Sequence, residues 1–325
     1  MGKSGGRAAL GLKGLLWLAG VLGVGALIWG VGWERLGPAL ALLDARVLAL
    51  LVALQALTLG LCAGLLWYTL RCSGIRLPYG RVLSIYLTGG FVESVTPSLK
   101  FGGEAVKVYL LKRATRADYQ HITGAFLIYK LLSMTPFTLL LLLAAGVVSA
   151  PLGVNLRAYA LGPLALGGGL GLWLLVRRRG PGRVGDFLAR SVSHARRAAS
   201  PRQLAAMLGV ATCIWILYPV KLQLIAASIG VALPFIPLIA VLYTGYLVSM
   251  LPLAPGGLGS FEGALVFLLG RLGVAAQSAL ALTLLLRSVT YWLPLLPSGY
   301  CAARMLWRWR PPVPWLRTQT PPALR

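Results

Sequence analysis

Eight ionisable side chains fall inside apolar stretches of this chain: Glu93, Lys100, Glu104, Lys107, Lys130, Lys221, Glu262 and Arg287. At the centre of a membrane-spanning helix each such group costs about 2.5–3.5 kcal/mol on insertion scales, so those that persist are held by a partner or a task. Their spacing is informative. Lys130 lies 26 residues after Glu104 and Arg287 lies 25 after Glu262. Each cation is followed by a proline, Pro136 or Pro294, which should open backbone carbonyls nearby. Two readings of the pairs Glu104/Lys130 and Glu262/Arg287 stay open: ion pairs that neutralise one another inside a bundle, or groups that take a direct part in binding. The two can coexist.

Lys100 and Lys107 stand beside a helix start and the glycines Gly102 and Gly103. Free backbone N–H groups, the positive end of a helix and a lysine point charge are together an anion site in outline. The competing reading of Lys107 is a side chain that snorkels to the membrane surface. Lys221, late in its apolar stretch near Tyr218 and Pro219, is expected to snorkel outward. Glu93, followed by Ser94 and Thr96, is a candidate proton relay or a counter-charge for Lys100.

No phosphate-binding loop, nucleophile elbow or zinc-protease motif is present. Cys62, Cys72, Cys213 and Cys301 are scattered, and His121 and His194 have no clustered partners. No metal and no cofactor are expected.

These groups must be positioned by membrane helices. The chain is 58% hydrophobic and 12% charged, with mean hydropathy +0.79, outside the range of ordinary soluble domains. Apolar stretches at about 15–33, 47–70, 122–149, 158–176, 203–229 and 276–303 are each long enough to span. The first, Leu15 to Trp33, follows Lys3, Arg7 and Lys13 but is too long for a signal peptide, and is expected to be a retained helix. Gly167 to Gly169 in the fourth stretch read as close helix packing.

Two further stretches are broken. In 82–111, Pro97, Gly102 and Gly103 interrupt the helix, leaving a first arm of 16 residues, or ~24 Å at ~1.5 Å per residue, short of the ~30 Å hydrocarbon core. The second arm, Glu104 to Leu111, is shorter still. In 235–270, Pro252, Pro255, Gly256 and Gly257 do the same. Both are expected to be re-entrant hairpins whose breaks face inward, because non-helical backbone at membrane depth must be covered by protein or line a watery cavity.

Net charge is +24, a value that invites a nucleic-acid reading. Placement argues otherwise. With two re-entrant hairpins, 22 of the 31 lysines and arginines fall on the side of the termini, and Arg35, Arg46, Arg157 and Arg271 fall on the other. That bias puts both termini in the cytoplasm, with the basic segment 177–202 and the tail 306–325 against anionic headgroups of the cell membrane. Nucleic acid is not an expected partner.

The expected fold is therefore all-α: one integral domain, 1–325, with about six full spans and two hairpins. Its halves, 12–150 and 157–305, read as repeats of opposite orientation, an arrangement that points to a translocation site between the broken helices.

The segments Val95-Thr96-Pro97 to Gly102-Gly103-Glu104-Ala105-Val106-Lys107, and Leu251-Pro252-Leu253-Ala254-Pro255-Gly256-Gly257-Leu258-Gly259-Ser260-Phe261-Glu262, resemble the lysylphosphatidylglycerol synthase transmembrane family, over about residues 15 to 305. Arg287, Tyr291 and Gly299 extend the second motif. The family's first hairpin usually has an arginine where this chain has Lys107, and its next span has Glu-Arg where this chain has Tyr129-Lys130. A mechanism that needs an acid at 129 is therefore not expected. The soluble aminoacyl-transferase domain fused in the resistance proteins of that family is not expected in this chain.

The resemblance and the cations together imply a translocase for an anionic phospholipid or polyprenyl-phosphate-linked lipid. Lys100, Lys107, Lys130 and Arg287 would receive the phosphate, Glu104 and Glu262 would balance them, and the glycine-proline breaks would hinge. The expectation favours a transporter over an enzyme. An intramembrane transferase using Glu93 or Glu104 as base, and a non-catalytic partner of a lipid synthase or glycosyltransferase, stay open. So does a homo-oligomer.

Overall fold

The computed structural model describes residues 44–96, 101–152, 199–251 and 254–308, and all regular elements among them are helical. The apolar stretches expected at 15–33 and 158–176, the segment 177–198 and the tail beyond 308 lie outside these residues, as do Pro97, Lys100 and Pro252.

Helix α1, Ala45–Cys72, is started by Asp44, whose carboxylate accepts from Arg46 N at 3.1 Å. Helices α2, Tyr79–Val95, and α3, Phe101–Ala114, pack against each other as a hairpin. Helix α4, Tyr119–Leu152, is followed among the described residues by α5, Pro201–Ser228, whose start is a reciprocal cap between Ser200 and Gln203. Helices α6, Phe235–Ser249, and α7, Ser260–Arg271, form a second hairpin, joined through a tight turn at Pro255–Gly257. Helix α8, Ala276–Arg287, then runs through one π turn, Ser288–Trp292, into α9, Leu293–Arg308.

Four segments are long and apolar enough to cross a membrane: Ala45–Cys72, Tyr119–Ala145, Pro201–Ser228 and Ala276–Met305. They match four of the six stretches expected to span. The hairpin arms have 17, 14, 15 and 12 residues, so the longest is ~26 Å at ~1.5 Å per residue and none reaches ~30 Å.

One boundary differs from expectation. The second arm of the first hairpin starts at Phe101 and reaches Ala114, so Gly102 and Gly103 lie inside a helix and not in its break. Packing explains them. A Cβ on Gly103 would collide with the Gly89 carbonyl oxygen and lie 2.7 Å from Glu93 Cβ, so two glycines let α2 and α3 cross with their backbones nearly touching. In the second hairpin Gly257 lies close against the Ser249 backbone, and Gly245 makes room for the Leu265 side chain.

Two large apolar centres stand out among the described residues. Leu66, Leu70, Ile85, Leu111 and Ile122 join α1 to the first hairpin and α4. Phe137, Leu222, Tyr243, Phe261 and Leu265 join α4 and α5 to the second hairpin. Between these centres the hairpins approach each other: α2 packs on α9 and on the Pro255–Gly257 turn.

The two prolines after the cations sit in different helical settings. The π turn sits just before Pro294, whose missing N–H removes one α-type bond. Helix α4, by contrast, is helical on both sides of Pro136 without a break. The Ser133 carbonyl accepts from Trp215 Nε1 at 2.5 Å, a bond that ties this part of α4 to α5; the carbonyl that Pro136 leaves without its α-type donor is that of Leu132.

Candidate functional site

Both ion pairs anticipated from spacing are formed. Lys130 Nζ lies 2.7 Å from Glu104 Oε1, and Arg287 Nε lies 2.6 Å from Glu262 Oε1. Their surroundings differ. The Arg287 and Glu262 side chains are 6% and 2% exposed, whereas that of Lys130 is 39% exposed.

The second pair is built by the start of α7. Gly256, Gly257 and Gly259 all have φ between +61° and +79°, a region glycine enters without cost. They fold the chain so that Gly259 N donates to Glu262 Oε2 at 2.7 Å, and the Gly256 carbonyl accepts from Arg287 Nη2 at 2.8 Å. Arg287 therefore spends one edge on a carboxylate and another on a backbone oxygen. Its guanidinium carbon sits 4.7 Å from the Phe261 ring centre and 4.5 Å from that of Tyr291, contacts that favour a desolvated cation.

The first hairpin holds a triad. Lys107 Nζ is 3.1 Å from Glu104 Oε2, 3.9 Å from Glu93 Oε2 and 4.7 Å from the Tyr86 ring centre. Lys107 is buried and does not snorkel, because its stem lies across Gly89, where any Cβ would collide with it. Glu104 thus bridges Lys107 and Lys130, and Glu93 faces Lys107.

Between the hairpins lies a cavity of about 220 Å³. Lys107, Glu93 and Arg287 line it, together with Tyr86, Tyr218, Tyr246 and Tyr291, the small polar groups Ser94, Ser249, Thr290 and Ser298, and the backbone of Gly90, Gly256 and Gly257. Tyr291 Oη donates to the Ser94 carbonyl at 3.1 Å, fastening the π turn after α8 to the end of α2 at the cavity wall. The π turn aims Thr290 and Tyr291 inward directly after Arg287, and such turns recur at functional sites. Lys130, Glu104 and Glu262 stand behind this wall, each holding a group nearer the cavity.

Lys221 contradicts its expected outward course. It is completely buried at the α1–α5 contact, where Nζ donates to Gln55 Oε1 at 2.6 Å and Thr58 Oγ1 at 3.1 Å and lies 4.3 Å from the Tyr218 ring centre. Gln55 and Thr58 are buried polar residues within α1, spaced so that both face α5. That i, i+3 polar pair in an otherwise apolar span was the available signal.

Short hairpins, ion pairs that link each of them to the next helix, and a cavity lined by charged and polar groups within a bundle of spanning helices define a polytopic integral membrane protein with an internal charged site. The family model described as the lysylphosphatidylglycerol synthase TM region matches residues 14–298, and the chain belongs to that family. It is 25% identical to a UPF0104 membrane protein of Pyrococcus horikoshii, over 88% of this chain and 95% of that one. A UPF0104 membrane protein of Methanothermobacter thermautotrophicus is also 25% identical, over 86% and 91% of the two chains.

Proposed function

We propose that the protein translocates a lipid with an anionic headgroup between membrane leaflets. The observation that carries this reading is the cavity itself, which the first hairpin lines with Lys107 and the end of α8 lines with Arg287. A phosphate fits two buried cations and the hydroxyls of Ser94, Ser249, Thr290 and Ser298 better than it fits any other place among the described residues. Glu104 and Glu262 hold the cations in position while the cavity is empty, and exchange part of that pairing for the phosphate when it fills.

Each hairpin is re-entrant in this reading, and the halves 12–150 and 157–305 are inverted repeats. Both termini lie on the cytoplasmic side of the cell membrane. The Tyr291–Ser94 bond is broken and remade as the first hairpin moves against α8 and α9, and the glycine-rich turn at Pro255–Gly257 is the hinge.

The test is headgroup accessibility of fluorescent phosphatidylglycerol in reconstituted vesicles. Wild type is expected to expose inner-leaflet label faster than protein-free vesicles, and Lys107→Met to slow it at least about tenfold, the effect of about 1.4 kcal/mol in binding. Wild-type vesicles no faster than protein-free ones overturn the proposal.

A further inference from the structure

We infer that Lys221 gives the cavity its preference for a net-negative headgroup. The inference rests on the lipid-handling reading above and assigns selectivity to a residue that does not touch the lipid.

Charge balance leads to it. The interior acids among the described residues are Glu93, Glu104 and Glu262, and each faces Lys107, Lys130 or Arg287. Three carboxylates meet three cations, so this network sums to zero and by itself favours no net charge in a ligand. Lys221 stands outside it. Among the described residues no carboxylate lies within ion-pair distance of its ammonium, whose partners are an amide oxygen, a hydroxyl and a ring face. Thr58 Oγ1 spends its own proton on the Leu54 carbonyl at 2.7 Å, so it can only accept from Lys221. Burial works against this charge, and what holds it is that the three N–H bonds of the ammonium are matched by two oxygens and a π face, with no donor among the described residues placed to face the lone pair of a neutral amine.

Position makes that charge count. Tyr218, whose ring carries Lys221 on one side, lines the cavity, as does Leu59, one residue beyond Thr58. The surplus positive charge thus sits one aromatic ring from the cavity, in a region with little water to screen it. At the effective dielectric of protein sites, a unit charge at such a distance changes the occupancy of an anion on the order of tenfold.

The experiment measures lipid retained by the whole purified protein, by native mass spectrometry after equilibration with equal phosphatidylglycerol and phosphatidylcholine. Cavity-bound lipid is the amount lost in Gly90→Phe, which fills the cavity at a lining glycine beside which the space is open. Wild type is expected to retain phosphatidylglycerol about tenfold over phosphatidylcholine. Lys221→Met and Gln55→Glu should both bring the ratio near one, the first by removing the charge and the second by pairing it in place, while Lys221→Arg keeps the wild-type ratio. Gln55→Glu decides the matter if Lys221→Met does not fold. A wild-type ratio that persists in Gln55→Glu, or a wild type without preference, overturns the inference. Retention needs no transport, so a failed vesicle assay would sink the translocase reading and leave this one to its own result.

Discussion

Replacing Arg287 by methionine should cost far more stability than replacing Lys130 by methionine, although each cation pairs with a hairpin glutamate at nearly the same distance. Arg287→Met strands Glu262, whose side chain is 2% exposed, with only the Gly259 N–H as a donor, and it also removes the bond to the Gly256 carbonyl. Breaking a buried pair from one side typically costs about 3–5 kcal/mol. Lys130→Met leaves Glu104 still 3.1 Å from Lys107, and the lost lysine was more than a third exposed, so about 1 kcal/mol is expected. Reversible unfolding in mixed micelles with increasing SDS measures both. The double variant Arg287→Met/Glu262→Gln should recover part of the Arg287→Met loss, since the stranded carboxylate is gone. Equal costs for the two lysine and arginine variants, or a double variant whose loss is the plain sum of its singles, would refute the assignment of the second pair as the desolvated one.

Two further outcomes follow from the glycines and the Tyr291–Ser94 bond. Gly103→Val should lower thermal stability by at least about 2 kcal/mol, because α2 and α3 must part to admit its side chain, whereas Gly263→Ala, with nothing within 4 Å of the added carbon, should be neutral or stabilising by up to about 1 kcal/mol. Tyr291→Phe removes the bond to the Ser94 carbonyl and should cost about 1 kcal/mol while changing the rate of lipid movement in vesicles; an unchanged rate would show that the bond is not part of the moving contact.

How much of this could be read beforehand depended on the range of each interaction. Helical elements, four of the spans and both hairpins follow from hydropathy and from breaks in it, which are local properties. The pairs Glu104/Lys130 and Glu262/Arg287 were legible because each joins a hairpin to the very next helix, so the linear spacing survives folding. Lys221 was misplaced for the opposite reason. Gln55 lies 166 residues away, and the direction a lysine takes from a helix depends on which neighbour packs there. Local sequence does not decide the course of Lys107, because it is the close crossing at Gly89 and Gly103 that lays its stem across α2. The same crossing explains why glycines expected in a break turn out to be helical, since both roles ask for a residue without a Cβ.

The π turn at Ser288–Trp292 has a consequence for how α9 is phased. A π turn amounts to one residue inserted into an α-helix, and one residue advances an α-helix by about 100°. Removing Thr290 would let α8 and α9 merge into a regular helix, but everything beyond it would be rotated by more than a quarter turn. Ser298 would swing off the cavity wall, and Gly299, now 3.2 Å from Phe91 at its added-carbon position, would give up its face to a bulkier neighbour. The extra residue therefore works as a phase shifter: it lets the buried arginine and the α2-facing end of α9 each take the azimuth it needs, which a straight helix of the same sequence could not satisfy together.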